Sequence, residues 1–215
     1  PPSARQTLQA HKLSGLVNTL NVEWTEKNSG TEKTFQVNAA NGRFDNFYFE
    51  AGKSGTESEA WPGIENANIS FDMTAAGGNV KASIDKGALQ INQLFEDARI
   101  PLDKLQATVK WQYEKNQLLV PDWQLSLKNA DVSADLKGSW KPSPLTNPQP
   151  SPKDVNWGVL DLQGNIQRAD ATRVHRYLPL SIPQNVRHYV RDSVLKGTLQ
   201  GVSVKVKGDL KRLPF

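Results

Sequence analysis

Along most of this chain apolar and polar residues alternate one for one, the period of a strand with one covered and one wetted face. Leu20, Val22 and Trp24 alternate with Asn21 and Glu23, and Phe35, Val37 and Ala39 repeat the pattern after a turn at 28–32. Asn41-Gly42 is a two-residue hairpin signal leading into Phe44, Phe47 and Phe49. There Phe47-Tyr48-Phe49 breaks the alternation and predicts a bulge or a strand covered on both sides. A loop at 51–63 precedes Ile69/Phe71/Met73, a Gly77-Gly78 turn, Val80/Ala82/Ile84, a turn at Asp85-Lys86-Gly87, and Leu89/Ile91. After a connector at 95–104, Leu105/Ala107/Val109/Trp111/Tyr113 form the clearest strand, turning at Glu114-Lys115-Asn116 into Trp123/Leu125/Leu127 and then Val132/Ala134/Leu136/Trp140. Five prolines between 142 and 152 predict an extended loop. Strand spacing resumes from Trp157 to Ile166 and again at Val202/Val204/Val206.

The period changes only between Arg168 and Lys196. Val174, Tyr177 and Leu178 sit at i, i+3, i+4, as do Val186, Tyr189 and Val190, with Val194 one turn on. Asp170 suits the N-cap of a first helix that Pro179 ends. Pro183 suits the first turn of a second, with Gly197 in the left-handed position past its end.

Three segments share apolar-x-apolar-x-Gly-x-apolar, with glycines at 138, 164 and 208. Each glycine falls on the apolar face, where a bulge or strand bend is the expected role and recurring bends would curve the sheet. The division expected is a polar lead-in (1–13), an antiparallel sheet (14–167, with the proline-rich loop at 142–156), a helical pair (168–197) and a return strand (198–215). Roughly ten strands on short turns have far more apolar face than two short helices can cover. That face closes on itself as a sandwich or barrel, or stays open as a trough. Alternation alone favours the sandwich.

Charge sharpens one part of this picture. Residues 168–196 hold six basic residues against two acidic ones, an excess equal to the whole chain's net +4, so the remainder is neutral. A mean hydropathy of −0.56 accompanies the absence of any run near the ~20 apolar residues a spanning helix needs. The chain opens at Pro1 with neither methionine nor signal peptide and reads as a segment of something longer. Zero cysteines exclude disulfides, thiolate zinc sites and cysteine nucleophiles, in keeping with the periplasm but not unique to it.

Catalytic chemistry finds no foothold. His11, His175 and His188 have no carboxylate partners at ligand spacing, so no metal site or cofactor is expected. No nucleophile elbow, zinc-helix or phosphate-loop pattern occurs. Asp103, Asp122, Asp135 and Asp161 fall on polar faces or turns, and no enzyme is expected. Trp24, Trp111, Trp123, Trp140 and Trp157 keep the phase of the apolar positions, where packing is the usual role. Tyr177 and Tyr189 lie on basic helices without stacking aromatics on a sheet, which argues against nucleic acid. Arg187 and Arg191, at i and i+4, are expected on a solvated face or, functionally, against phosphate head groups.

The run 77–112 (GGNVKASIDKGALQINQLFEDARIPLDKLQATVKWQ), then 129–140 (NADVSADLKGSW) and 168–215 with its RYLP element and terminal GDLKRLPF, resembles the YhdP branch of the AsmA-like proteins of Gram-negative bacteria. The order of these elements carries the likeness, which covers Leu13 to Phe215 and is strongest after Trp61. The resemblance implies an inner-membrane-anchored bridge across the periplasm, its anchor outside this segment. It also implies a long, twisted antiparallel sheet folded into an open trough that conducts phospholipids towards the outer membrane. Inner- and outer-membrane proteins would be its partners, and it carries no catalytic residues.

On that reading the trough is lined from Val80, Ala82 and Ile84, from Leu105, Val109 and Trp111, and from Leu125 and Leu127. Leu136 and Trp140, Leu162 and Ile166, and Val204 and Val206 continue it. The competing expectation is a structural or adaptor β-sandwich binding protein or glycan.

Overall fold

The computed structural model describes residues 12–29, 32–52, 62–92, 94–115, 117–143 and 158–210. The expectations placed on the lead-in up to His11, on Trp61, on the proline-rich loop with Trp157, and on the end from 211 lie outside the described residues.

Nine strands form one sheet in sequence order: β1 (Ser14–Ser29), β2 (Glu32–Phe49), β3 (Gly63–Thr74), β4 (Gly77–Gln90), β5 (Arg99–Glu114), β6 (Gln117–Lys128), β7 (Val132–Lys141), β8 (Val159–Asp170) and β9 (Thr198–Asp209). Every neighbouring pair is antiparallel, and β1 and β9 stand at opposite edges without pairing. The sheet is therefore open, and the sandwich favoured by alternation does not form among the described residues. A sandwich needs connections that leave one sheet for another. Here each short turn returns the chain beside the strand it has just made. At ~4.8 Å per strand the sheet spans roughly 38 Å from edge to edge.

Two expected turns are absent. Asn41-Gly42 lies within β2, paired to Asn21 and Leu20 on one side and to Asp72 and Phe71 on the other. Asp85-Lys86-Gly87 lies within β4, which runs unbroken to Gln90, and β5 starts at Arg99 inside the expected connector. A turn signal is a local preference of about a kcal/mol, whereas ladders on both flanks of a strand supply several hydrogen bonds. Each absent turn merges two expected strands into one, which leaves nine strands in the sheet.

Lys86 does bend the chain. Asn46, Asn66 and Lys86 have φ of 53°, 58° and 56°, one left-handed residue in each of β2, β3 and β4. Asparagine tolerates this region and lysine seldom adopts it. The Asn66 side chain donates to the carbonyls of Asp85 and Lys86 at 2.9 and 3.0 Å, holding the kink of the next strand. Register slips between Phe44 and Phe47 and between Glu65 and Ala67 accompany the line, so the break expected near Phe47 is a bulge at Asn46. The left-handed residue flips the alternation within its strand by one, which keeps Ile64 and Ile69 in β3, and Ile84 and Leu89 in β4, on the same side before and after the bend.

Residues from both sides of the bend consequently meet. Ala67, Ile84, Leu102 and Leu105 form the closed core, with Ile64, Leu89 and Ile100 from before the bend and Ile69, Ala107 and Leu125 from after it packed around them. The sheet stays open, with β1 and β9 as its two edges.

The recurrent glycines do not bend it. Gly138, Gly164 and Gly208 keep ordinary strand register, and none has a positive φ. They provide room. A Cβ on Gly138 would stand 2.8 Å from the Trp123 ring, and one on Gly164 would meet the Leu136 side chain. Gly42 and Gly78 do the same for Phe71 and Trp111, at 2.8 and 2.6 Å. Large rings thus lie down across neighbouring strands. The bend at this end of β6 sits at Pro121, where the register with β5 and β7 slips, as expected of a proline in a central strand.

Both helices form, the first with the expected cap. A 3-10 helix, Ala171–Tyr177, starts at Asp170, whose carboxylate accepts from the Thr172 N–H at 2.9 Å. The hydroxyl and N–H of Thr172 hold the Asp170 carboxyl below its ordinary range. An α-helix, Gln184–Ser193, follows Pro183. It ends at Val194, so Gly197 (φ 143°) is no C-cap and lies in the approach to β9.

Candidate functional site

An up-and-down sheet sorts its residues into cross-strand rows, and register decides what each row offers. One row runs Ala67, Ile84, Leu105, Leu127, Ala134 and Ile166 to Val202. The next runs Phe44, Ile69, Ala82, Ala107, Leu125, Leu136 and Gly164 to Val204. A third runs Phe71, Val80, Val109, Trp123, Gly138 and Leu162 to Val206. Gly78 pairs with Trp111 above it, and Trp140 with Leu160. All the residues expected to line the trough therefore share one face of one sheet.

The face is not uniform. Ile84 and Leu105, 1% and 3% exposed, are sealed in the core and cannot touch a ligand, which corrects the expectation for these two. The bend packs both flanks of the sheet onto them. The other expected residues are half-buried. Towards β1 the face opens further, with Val17, Leu20, Trp24 and Phe35 more than half exposed. Trp24 is 61% exposed and is not a core residue. Phe44, Phe71, Ala107 and Trp123 extend the face beyond the expected set, and Phe44 stacks on Phe71 at 6.0 Å. Their alternation was visible; only the register shows that they continue the same rows.

Between the apolar rows lie polar ones on the opposite face. Asn68, Ser83, Gln106, Ser126, Asp135, Asn165 and Ser203 make one row. Arg43, Ser70, Lys81, Thr108, Gln124, Lys137, Gln163 and Lys205 make the next. Clefts of about 770 Å³ and 350 Å³ lie over these rows on the outer face. A twisted sheet is saddle-shaped and hollow on both faces in perpendicular directions. Asp122 and Asp161 pair here with Lys110 and Lys207 at 3.5 and 2.8 Å, so these carboxylates are partners of surface lysines.

The helical pair stitches one set of strand ends together. Every even-to-odd connection of an up-and-down sheet falls at the same end, and the pair, itself the β8–β9 connection, leans on the others there. Leu180 N–H donates to the Leu94 carbonyl at 2.9 Å, and Tyr177 meets Phe95 edge-on. Arg176 bridges Asp97 at 2.7 Å and Asp131 at 2.5 Å. Asn129 donates to the Tyr177 hydroxyl and to the Pro101 carbonyl, both at 3.0 Å. Burial, with the Asp131 carboxylate beside it, pushes the Tyr177 phenol up and keeps it neutral.

The cation excess of this segment is largely spent on structure. Arg168 donates to the Ala130 carbonyl at 2.8 Å and Arg176 to two aspartates. Arg187 is 7% exposed, donates to the Ile182 and Leu180 carbonyls, and faces Glu96 with its Nε at 3.6 Å. Arg191 pairs with Asp192 at 2.8 Å. The head-group contact expected of Arg187 is therefore blocked, and Arg191 arrives neutralised. The α-helix is rotated from its expected face, with Arg187, Val190 and Val194 inward and Val186 and Tyr189 outward at 43% and 71% exposure. Two carbonyls and a carboxylate holding Arg187 outweigh covering one valine.

Arg176→Ala is expected to loosen the pair without unfolding the sheet. It leaves Asp131, whose side chain is 12% exposed, without its cation, a loss of about 1–3 kcal/mol. Amide exchange should rise across 171–193 and stay unchanged in β4–β6. Uniform deprotection would refute the stitch.

Among the described residues no His, Asp and Glu cluster could hold a metal ion, and no helix is long and apolar enough to cross a membrane. A family model described as YhdP protein matches residues 1–215. No curated protein and no solved structure matches the chain.

Proposed function

The chain belongs to the YhdP protein family, and on that footing we propose that it is a segment of a periplasmic bridge that conducts phospholipids between the inner and outer membranes. One observation carries the reading: a continuous apolar face on a single open sheet, without a second layer on it among the described residues. Apolar area of this extent left uncovered marks a binding surface. Each CH₂ withdrawn from water gains ~0.8 kcal/mol, so a two-tailed lipid is firmly retained. The gain is non-directional, and the rows repeat from strand to strand, so moving along them changes the energy little. Ala82 beside Ala107 lowers the floor in mid-sheet, where an acyl chain has most room.

Head groups would stay in water at the open side, with no ionic pocket required. The reading assigns the chain no catalysis and no cofactor. It places the protein in the periplasm, tethered through a part of the parent outside this segment and working with inner- and outer-membrane proteins.

The test is site-resolved photo-crosslinking in cells. A benzophenone amino acid at Val109 or Leu136, on the apolar face, should yield phospholipid adducts. The same probe at the neighbouring Thr108 or Lys137, on the outer face, should not. Equal labelling of both faces, or none on the apolar one, overturns the reading.

A further inference from the structure

The outer face carries a feature that lipid conduction leaves unused. Arg43, Lys81, Lys137 and Lys205 stand in a single cross-strand row, on β2, β4, β7 and β9, with no acidic residue in that row between them. Lys81 and Lys137 form no ion pair among the described residues, and both are exposed. Arg43 pairs at 3.4 Å with Asp45, and Asp161, near Lys205, is taken by Lys207. Of the two flanking rows, one carries Asp135, which accepts from Ser126 and Gln167, and the other carries Asp72, Asp122 and Asp161, the last two paired with Lys110 and Lys207. The intervening positions are Ser70, Thr108, Gln124 and Gln163, hydroxyls and amides only. The row lies along both outer clefts, which adjoin at Gln106 and Thr108.

We propose that this outer row binds an acidic polysaccharide strand with about one carboxylate per disaccharide. Strands ~4.8 Å apart put the cations roughly 10–14 Å from one another, a distance that two linked pyranose rings cover. The amides and hydroxyls between them match the hydroxyls of the rings, each donor or acceptor facing another. Single-stranded nucleic acid is held on stacking aromatics, and this row has none. A peptide ligand needs side-chain pockets, and the row is a shallow run of polar tips. The site lies on the opposite face from the apolar groove and stands independently of it.

Calorimetric titration of the 215-residue chain with a hyaluronan octasaccharide, a uronate–hexosamine polymer, tests this. Saturable binding is expected that weakens with salt, because exposed charge pairs are screened. Neutral chitohexaose and the oligonucleotide dT12 are expected to bind at least about tenfold more weakly. The triple variant K81E/K137E/K205E should lose about tenfold or more in affinity, each exposed contact contributing a few-fold. It should keep its thermal stability and its co-purifying lipid. Absence of saturable binding, equal binding of chitohexaose or dT12, or full affinity in the triple variant would each overturn the proposal.

Discussion

Val109→Asp combined with Leu136→Asp is expected to empty the protein of phospholipid while leaving it folded. Both positions sit mid-sheet on the apolar face, half-buried, and neither belongs to the closed core around Ile84. A carboxylate there keeps its water when the groove is empty. It must shed that water, at a cost of several kcal/mol, when an acyl chain lies over it. Since about 1.4 kcal/mol is a factor of ten in affinity, lipid recovered from the variant by mass spectrometry of organic extracts should fall at least about tenfold. Thr108→Asp, one residue away on the outer face, should recover as much lipid as the unaltered chain. If the double variant fails to fold, the apolar face is structural. If it folds and keeps its lipid, the groove is elsewhere. Either outcome defeats the proposed function.

The second large effect concerns stability. Among the described residues Ile84 is the one large side chain with almost no exposure, and it pairs directly with Leu105 across β4 and β5. Ile84→Ala should destabilise by about 2–5 kcal/mol, the transfer loss of the missing carbons plus the cavity they leave. For a chain of this size that corresponds to a fall in melting temperature of roughly 5–15 °C. Val109→Ala, on the open part of the same face, should cost about 1 kcal/mol or less. It removes less apolar area and leaves no enclosed cavity. Because Ile84 and Leu105 share one packing site, the double alanine variant should lose less than the two single losses added. Equal melting temperatures for Ile84→Ala and Val109→Ala would mean that the core is not where the bend puts it.

Period-two alternation was enough to find β5, β7 and the run from Ile69 to Ile84, and to put every expected lining residue on one face. Asp170, Pro179 and Pro183 marked the helical pair within a residue or two. These signals are legible because side-chain direction in a strand and capping in a helix are settled by near neighbours. Family likeness was needed to choose the trough over the sandwich, since alternation says that a face is covered without saying by what. Asn41-Gly42 and Lys86 misled because a dipeptide's turn preference is weak beside pairing with strands far along the chain. The repeated glycines misled in another way. Their use as space for Trp123 and Leu136 depends on which strand lies alongside.

Arg187 marks the boundary most clearly. From its spacing it belongs on a wet helix face, yet it is buried against the carbonyls of Leu180 and Ile182 with Glu96 across from it. Nothing within a few residues announces Glu96. The sequence by itself determined the strands, the sidedness of the sheet and the capped helical pair, because each depends on contacts within about one turn or one pleat. The tertiary structure decided the bend that seals Ile84 and Leu105, the row of cations on the outer face and the fate of Arg187. The first two depend on register between strands, where a slip of one residue would reverse them, and the third on the β4–β5 connection that brings Glu96 against the helix.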